Sequence, residues 1–242
     1  MFRLTVKILL LAGCLGLCAE GIPKPVAHWA FDEMDGKGIK ASTGDFAGCL
    51  IPFPDYELIP GLQGQALSFG STLPAAGTNV GAMVIPNAVL DVNKPFTVTI
   101  TFKLAEIASK GAGFRAFKDL FTNTGTRGPG FRITVFYGML LCNSGDGKTA
   151  SSVHTEATKV AIPVNRYLQL AVTYDGKSLA IFLDGTPVAS GEISITASGR
   201  DWHVGSMDGK HYALPGAIDD LAIYQCALSA EEIAELYLKG QL

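Results

Sequence analysis

The sequence predicts an all-β fold in which two antiparallel sheets pack face to face, with one short helix at the C-terminus. Short runs alternate apolar and polar residues, which is the period of a strand with one buried face, and Phe96–Leu104 is the clearest example. Tyr167–Gly185 contains two Asp-Gly pairs, which mark predicted turns because both residue types tolerate the positive φ angles of tight hairpins. No long helical pattern separates the strands, which argues against a parallel α/β sheet.

Residues 1–21 have the composition of a secretory signal and are predicted to lie outside the folded domain. Two basic residues precede an apolar run, Ile8–Leu17, and small residues follow it. The run is shorter than the roughly 20 apolar residues that a transmembrane helix needs. The sequence therefore predicts a protein that is secreted, periplasmic or part of the cell envelope. Because Leu11–Cys14 resembles a bacterial lipoprotein cleavage motif, lipid anchoring at Cys14 is the alternative.

Residues 26–242 are predicted to form one domain. A chain of 242 residues fits one large β-sandwich, and its 48% of hydrophobic and 17% of charged residues support a substantial core and exclude global disorder. The formal net charge is −3, and no basic stripe with interleaved aromatic residues occurs. Nucleic acid is therefore not an expected partner, and no transmembrane segment is expected.

The strands are predicted in order along the chain. The first, Val26–Phe31, places Trp29 in the core. Phe96–Leu104 presents a second face of threonines, which we expect to be half-exposed because threonine is both β-branched and soluble. Tyr167–Gly185 forms a hairpin, and a third strand begins at Thr186. Further strands are predicted at 48–51, 65–69, 82–85, 118–122, 131–137, 139–142, 153–162, 201–205 and 217–224.

The C-terminal helix is predicted from its cap. Ser229 suits the N-cap position, and Glu232, three residues later, completes a capping box. Leu228 and Ile233 are placed to pack against each other across this cap. Gly240 is expected to end the helix.

Four pieces of the sequence, in this order, resemble the laminin-G-like, concanavalin A-like jellyroll domains of exported bacterial proteins. They are His28–Glu33, Gly64–Phe69, Leu170–Gly185 and Gly216–Tyr237, and together they span the chain from about residue 26 to its end. The resemblance implies a jellyroll with two curved antiparallel sheets. It does not imply one function, because this fold hosts lectins, adhesion modules, glycoside hydrolases and lyases.

Motifs for hydrolysis are not found in the sequence. Glycoside hydrolysis needs two carboxylates about 5 to 9 Å apart, and the Glu-x-Asp-x-x-Glu run of hydrolases with this fold is absent. Asp219 and Asp220 are adjacent, so they are predicted to point to opposite faces of a strand. Gly-x-Ser-x-Gly is absent as well. We therefore expect a protein that is not an enzyme, with a hydrolase or lyase as the less favoured reading.

A structural calcium ion is predicted near the first and last strands. Asp219 is expected to share an apolar face with Leu221 and Ile223, where a carboxylate is costly unless it is paired or ligated. Asp32 ends the first strand and Asp45 lies in a Gly-containing loop. Carboxylates and loop carbonyls suit calcium, which takes six to eight oxygen ligands, and the resemblance implies calcium at the same place. The alternative is that Asp219 accepts hydrogen bonds from a turn, with no ion.

Four residues are predicted to bind a ligand around the loop at 206–215. Aromatic rings and a set of polar groups hold sugars, and such groups cluster here as Trp202, His203, His211 and Tyr212. We therefore expect an exported, non-catalytic module that binds a glycan or a cell-surface protein. The alternative from a different class is a structural or adhesion spacer domain of the cell envelope.

Three cysteines follow the predicted signal, namely Cys49, Cys142 and Cys226. In an exported protein, one disulfide with one free thiol, or three free thiols, are both compatible with this odd number.

Overall fold

The computed structural model describes residues 21–51, 56–72, 79–108 and 111–240, so the predicted signal lies outside it except for Gly21. Within these residues, one α-helix, α1 (Ala230–Leu238), and two short 3₁₀ turns, Asn87–Val89 and Gly113–Ala116, accompany the strands. The strands are β1 (Ala27–Trp29), β2 (Gly38–Lys40), β3 (Ala47–Leu50), β4 (Glu57–Pro60), β5 (Gln65–Ser68), β6 (Met83–Ile85), β7 (Phe96–Leu104), β8 (Phe117–Thr122), β9 (Phe131–Phe136), β10 (Met139–Gly145), β11 (Ala150–His154), β12 (Tyr167–Tyr174), β13 (Ser178–Leu183), β14 (Thr186–Glu192), β15 (Trp202–Val204) and β16 (Gly216–Tyr224).

These strands form two antiparallel sheets of eight strands each. Sheet A has the order β14-β13-β12-β7-β16-β5-β4, with β1 also paired to β16. Sheet B has the order β11-β10-β9-β8-β15-β6-β3-β2. The predicted two-sheet antiparallel architecture is confirmed. The predicted strand at 153–162 is shorter than expected, since β11 ends at His154 and turns follow it.

The meander β12-β13-β14 forms one side of sheet A, as the Asp-Gly pairs predicted. Asp175 Oδ1 accepts hydrogen bonds from the N–H groups of Lys177 (2.8 Å) and Ser178 (2.7 Å), which closes the first turn. In the second turn Asp184 and Gly185 have φ angles of 49° and 71°. Both residues therefore occupy the left-handed region that two-residue hairpin turns require.

The core lies between the two sheets and includes both tryptophans. Trp29 and Trp202 are each 0% exposed. The indole of Trp202 stacks on Phe121, with 4.4 Å between ring centroids and 12° between ring planes. Trp29 was predicted in the core, and the structure confirms that placement.

The threonine face of β7 is buried rather than half-exposed, which corrects the expectation. Thr97, Thr99 and Thr101 are each 0% exposed. The segment before α1 bonds to this face, because Thr97 Oγ1 donates to the Cys226 carbonyl and accepts from the Leu228 N–H, both at 2.9 Å. Periodicity showed which side chains share this face, but the cover over it comes from residues more than a hundred positions away.

Helix α1 packs on the outer face of sheet A. The predicted capping box is present: Ser229 Oγ accepts from Glu232 N (3.2 Å), and Ser229 N donates to Glu232 Oε2 (2.7 Å). Ile233 and Leu236 are buried against a cluster that includes Phe182 and Tyr224. Among the described residues, no helix is long and apolar enough to cross a membrane.

The three described cysteines are free thiols, so the disulfide alternative is not supported. Cys142 is buried, Cys49 is exposed and Cys226 lies between these extremes. Burial raises the pKa of the Cys142 thiol well above its usual range. Cys142 therefore acts as a small apolar core residue.

Candidate functional site

Asp219 faces the opposite side of sheet A from the one predicted. β16 contains a bulge at Asp220, so Asp219 pairs with Thr101 while Leu221 pairs with the adjacent residue, Ile100. Asp220 has a φ of 42°. The extra residue places Asp219 on the outer face of the sheet, and the prediction that it shares a face with Leu221 is wrong. The carboxylate is nevertheless 0% exposed.

Asp219 and Asp32 bind the two ends of one turn, residues 61–65, which connects β4 to β5. Asp219 Oδ2 accepts from Leu62 N (2.8 Å) and Gln63 N (3.3 Å). Asp32 Oδ1 accepts from Gln65 N (2.9 Å). Burial raises the pKa of Asp219 to about 7, and the charge of Asp220 adds to the rise, while the backbone N–H groups oppose it.

The same turn contains a small space surrounded by oxygen atoms. A Cβ on Gly61 would lie 2.5 Å from Asp219 Oδ2 and 2.8 Å from the carbonyl oxygens of Gln63 and Gln65. Calcium–oxygen bonds are about 2.3–2.6 Å long. The other carboxylate oxygen, Asp219 Oδ1, is buried with no hydrogen-bond partner in the described part of the chain. Asp219 Oδ2 and the carbonyl oxygens of Gln63 and Gln65 thus surround one position beside Gly61, whereas Asp32 Oδ1 lies against Gly64.

Asp45 does not complete this set. It is exposed in the loop before β3. In the described ranges, no three Asp, Glu, His or Cys side chains are grouped so that they could hold a metal ion. The three predicted metal ligands are thus not brought together, and the two that are neighbours also make the hydrogen bonds of the ion-free alternative.

A hydrogen-bonded series of Ser42, His28 and Asp220 lies beside Asp219 and the turn 61–65. Sequence reasoning missed it. His28 Nε2 is 2.9 Å from Asp220 Oδ1, and His28 Nδ1 is 2.8 Å from Ser42 Oγ. Nucleophilic catalysis uses these residue types together with free N–H groups that stabilise an oxyanion. The N–H groups of Ser42 and Thr43 instead both donate to the His28 carbonyl. These bonds attach the loop to β1, which is a structural role.

The four predicted ligand-binding residues do not form one exposed surface. Trp202 is enclosed in the core, so the prediction that it offers its ring to a ligand is wrong. His211 is exposed and its Nδ1 lies 2.8 Å from Asp208 Oδ2. His203 pairs with Thr122 on the outer face of sheet B, and burial lowers the pKa of its imidazole.

Tyr212 covers a buried ion pair on the outer face of sheet B. The guanidinium of Arg132 lies between two rings, 4.4 Å from the Tyr212 centroid and 4.2 Å from the Phe117 centroid. Arg132 Nη2 is 2.6 Å from Asp119 Oδ1, and both side chains are 0% exposed. The loop of Tyr212 therefore closes this face over a charged pair, and the ring does not form a free platform.

A partly buried aromatic side chain occurs elsewhere, in the two-residue turn between β9 and β10. Tyr137 and Gly138 have φ angles of 48° and 79°. Turns of this kind favour Asn or Asp followed by Gly, and an aromatic residue in the left-handed region is strained by about 1–3 kcal/mol. The Tyr137 hydroxyl accepts a hydrogen bond from Gly113 N (3.1 Å), and its ring contacts Phe136 edge-on at 4.5 Å.

Tyr137 forms one wall of a groove of about 320 Å³, which we call the Tyr137 groove. Its lining residues combine apolar, polar and charged side chains: Ile107, Tyr137, Gly138, Met139, Thr155, Glu156, Lys159, Val160, Ala161 and Ile162. A ring beside hydrogen-bonding and charged groups can hold a polar ligand that also has an apolar face. Sequence reasoning missed this groove, and the available signal was an aromatic residue before Gly in a hairpin turn.

Comparisons with known proteins agree with this architecture. A family model described as the concanavalin A-like lectin/glucanases superfamily matches residues 77–234, more than half of the chain. No curated protein matches the chain.

Several solved structures are similar to the chain, all with low sequence identity. Domain 4 of AbnA, a GH43 extracellular arabinanase from Geobacillus stearothermophilus solved in complex with arabinotriose, is 19% identical, with a TM-score of 0.66 over 88% of this chain and 98% of that domain. The binding domain of Paraclostridial Mosquitocidal Protein 1 is 16% identical, with a TM-score of 0.68 over 90% of this chain.

A third similar structure is that of botulinum neurotoxin type C, whose cell entry is described as dependent on interaction with two ganglioside molecules. It is 12% identical, with a TM-score of 0.66 over 90% of this chain. The chain spans about half the length of the two toxin structures, at 52% of each. These likenesses support the jellyroll fold, and the family match carries the assignment: the chain belongs to the concanavalin A-like lectin/glucanase superfamily.

Proposed function

We propose that this protein is an exported, non-catalytic module that binds a glycan in the Tyr137 groove. The observation that carries the proposal is the placement of Tyr137 at a strained turn position, beside Glu156 and Lys159. Residues in sparsely populated backbone conformations cluster at functional sites, and Tyr137 combines such a conformation with a position on a groove. The ring can stack on the C–H face of a sugar, while the charged side chains bind hydroxyl groups.

Two of the similar structures support a saccharide as the ligand class. One was solved with arabinotriose, and another belongs to a toxin whose entry depends on gangliosides. These properties belong to those proteins. They favour a glycan over a surface protein as the first ligand to test here.

Export is part of the proposal and rests on the first 21 residues. Their basic start, apolar run and small residues are typical of a secretory signal. An exported module meets extracellular and envelope glycans, so the compartment and the ligand class agree. Ordinary secretion and lipid anchoring at Cys14 both lead to the same exposure to glycans.

We also propose that a structural calcium ion binds at the turn 61–65. Asp219 and Asp32 would supply carboxylate oxygens, and the backbone carbonyls of Gln63 and Gln65 would supply the other oxygen ligands that come from the protein. The ion would neutralise a buried carboxylate whose Oδ2 accepts from backbone N–H groups and whose Oδ1 has no hydrogen-bond partner in the described ranges. Its role would be to fix the turn between β4 and β5 against the last strand.

The glycan proposal is tested by array screening followed by calorimetry on the best ligand. Replacement of Tyr137 by Ala removes the ring, and a ring contact of about 1.4 kcal/mol corresponds to about tenfold in affinity. Tyr137→Phe keeps the ring and should keep most of the affinity. Tyr237→Ala is the matched control, because Tyr237 is 37% exposed on α1 and lies outside the groove.

Two outcomes would contradict the glycan proposal. An array on which the protein binds no glycan would favour the spacer alternative. A bound glycan whose affinity is the same in Tyr137→Ala and in Tyr237→Ala would place binding outside the Tyr137 groove.

A further inference from the structure

Three exposed apolar side chains lie beside the C-terminal end of α1. In the described part of the chain, Leu238 is the most exposed large apolar residue, at 82%, and Leu62 and Tyr237 are 48% and 37% exposed. Single exposed apolar residues are normal on protein surfaces, whereas a group of them marks a site of interaction with a protein or a membrane. We call these three residues the Leu238 patch.

Contacts between α1 and two turns hold the patch together. Gln63 Nε2 donates to the Gly240 carbonyl, which joins the turn 61–65 to the end of α1. The ring of Tyr237 lies over Gly185, where an added Cβ would be 3.0 Å from the ring atoms Cγ and Cδ1. The turn 61–65 and the last turn of α1 therefore present one surface on the outer side of sheet A.

The N-terminal end of the described chain reaches the same side of the molecule. Ile22 packs against the apolar cluster that α1 covers, which includes Tyr224 and Ile233. The residues before it contain Cys14 and the apolar run Ile8–Leu17. Because an extended chain spans at most about 3.5 Å per residue, Cys14 can be no more than about 28 Å from Ile22. A bilayer that holds the apolar run, or a lipid on Cys14, would therefore lie on the α1 side of the domain.

The charged groups beside the patch favour an uncharged lipid surface. Lys239 Nζ is 2.5 Å from Glu235 Oε1, and Arg166 Nη2 is 2.8 Å from Asp184 Oδ2. Because carboxylates already pair with these cations, neither is a free positive charge for anionic lipids or an acidic peptide. The affinity of the patch must then come from its apolar side chains. Leucines and a tyrosine are typical of side chains that lie at a membrane–water boundary.

We propose that the Leu238 patch rests on the surface of a lipid bilayer and orients the domain against it. Leu62 and Leu238 would enter the boundary between headgroups and acyl chains, and the phenol of Tyr237 would lie at the level of the headgroups. The N-terminal segment would raise the local concentration of the patch at the bilayer, so a weak contact is sufficient.

This orientation leaves the Tyr137 groove accessible. The groove belongs to sheet B, whereas α1 covers the outer face of sheet A, so the bilayer and the groove lie on different layers of the sandwich. The inference uses the N-terminal segment of the proposed export route and does not depend on the glycan site.

Amine footprinting of two lysines tests the contact. The protein is purified with the N-terminus that the cell leaves, acylated or cleaved, and is treated with an acylating reagent with and without phosphatidylcholine vesicles. Lys239 follows the patch, and its side chain is 52% exposed. Lys177 is 74% exposed, is also paired with a glutamate, and lies at the other end of β13 from Gly185. We expect vesicles to slow the modification of Lys239 about tenfold when about nine in ten molecules are bound, and to leave Lys177 unchanged.

Two variants assign the protection to the patch. Leu238→Ser removes its most exposed side chain and should return Lys239 to its vesicle-free rate. Ile107→Ser is the matched control, because Ile107 is 38% exposed but lines the Tyr137 groove. Protection should persist in this control. It should also persist in about 0.5 M NaCl, where salt screens contacts between exposed charges.

Three results would overturn the proposal. Equal labelling of Lys239 with and without vesicles would deny the contact. Protection that persists in Leu238→Ser would place the contact elsewhere on the surface. Slow labelling of Lys239 without vesicles that becomes faster on dilution would make the patch an interface between two copies of the chain. The glycan array contains no vesicles, and the mass of the N-terminal peptide reports export processing, so these proposals can fail separately.

Discussion

Asp219 and Tyr137 are both residues in an energetically unfavourable state. At Asp219 it is a buried charge and at Tyr137 it is a strained backbone, and the two have different consequences. Asp219 is a fully buried carboxylate whose pKa is raised to about 7 by burial. It is tied to the fold by two backbone N–H donors from one turn. Tyr137 is an aromatic residue with a φ of 48°; its hydroxyl accepts a hydrogen bond from Gly113 N, and it lines an open groove.

The comparison separates an unfavourable feature that hydrogen bonds compensate from one that we propose serves binding. At Asp219 the unfavourable charge is compensated by hydrogen bonds, and by calcium if the proposed ion is bound. At Tyr137 the turn would accept Asn with less strain, so the fold alone does not explain the tyrosine. Strained backbone positions cluster at functional sites, and on this ground we propose that Tyr137 serves binding in addition to its contacts with Gly113 and Phe136.

The largest expected effect is the pH dependence of stability in the presence of a chelator. The pKa of Asp219 is raised from 3.8 to about 7 on folding, so the folded protein binds more protons than the unfolded chain between these values. Stability should therefore fall as the pH rises from about 4 to about 7, by up to the order of 4 kcal/mol. Urea unfolding across this range measures the slope.

Asp219→Asn is the control for the pH experiment. It keeps the shape of the side chain and a hydrogen-bond acceptor for the turn, but it does not titrate. The slope contributed by this position should disappear. A slope of equal size in Asp219→Asn would assign the pH dependence to other groups.

Calcium should stabilise the protein by a smaller amount. An ion that binds only the folded state adds about 2.7 kcal/mol when its free concentration is a hundred times its Kd. At pH 7.5 we expect calcium to raise the unfolding midpoint of the wild type, and Asp219→Asn to abolish the rise. A midpoint that ignores both calcium and chelator, in protein shown by elemental analysis to be free of bound ion, would leave Asp219 as a hydrogen-bonded anchor for the turn.

A methyl group at Gly61 should have an effect of about 1–3 kcal/mol, the usual range for overpacking. In Gly61→Ala the new Cβ would meet Asp219 Oδ2 and two carbonyl oxygens, so both stability and calcium response should fall. Gly125→Ala is the matched control, because its nearest contact would be an ordinary 3.7 Å to Met207 Sδ. Equal unfolding midpoints for the two variants would show that the space beside Asp219 is larger than the structure indicates.

The sequence was sufficient to predict the architecture because strands, turns and caps are local signals. The Asp175-Gly176 turn and the Ser229–Glu232 capping box are both present as predicted. The side chains of Thr97, Thr99 and Thr101 were assigned to one face correctly but were expected to be half-exposed. Their burial depends on the packing of the chain near α1, a contact between distant parts of the chain that periodicity does not report.

The candidate site was harder to predict because one residue can change which face a side chain occupies. The bulge at Asp220 moved Asp219 to the opposite face of sheet A. Trp202 and Tyr212 occur among polar residues in a segment that looked like a binding loop, yet one ring fills the core and the other covers Arg132. Composition identified a cluster of aromatic residues, but the register of β15 and the buried charge beneath Tyr212 determined where they point.

The most direct test of the account is Tyr137→Asn, measured for unfolding free energy and for glycan affinity on the same samples. Asn before Gly suits this turn, so we expect stability to stay level or to rise by about 1 kcal/mol, while affinity for the glycan selected on the array is lost. Such a result would mean that the tyrosine is kept for binding at the expense of the turn. Lower stability with unchanged affinity would contradict the account and assign Tyr137 a structural role.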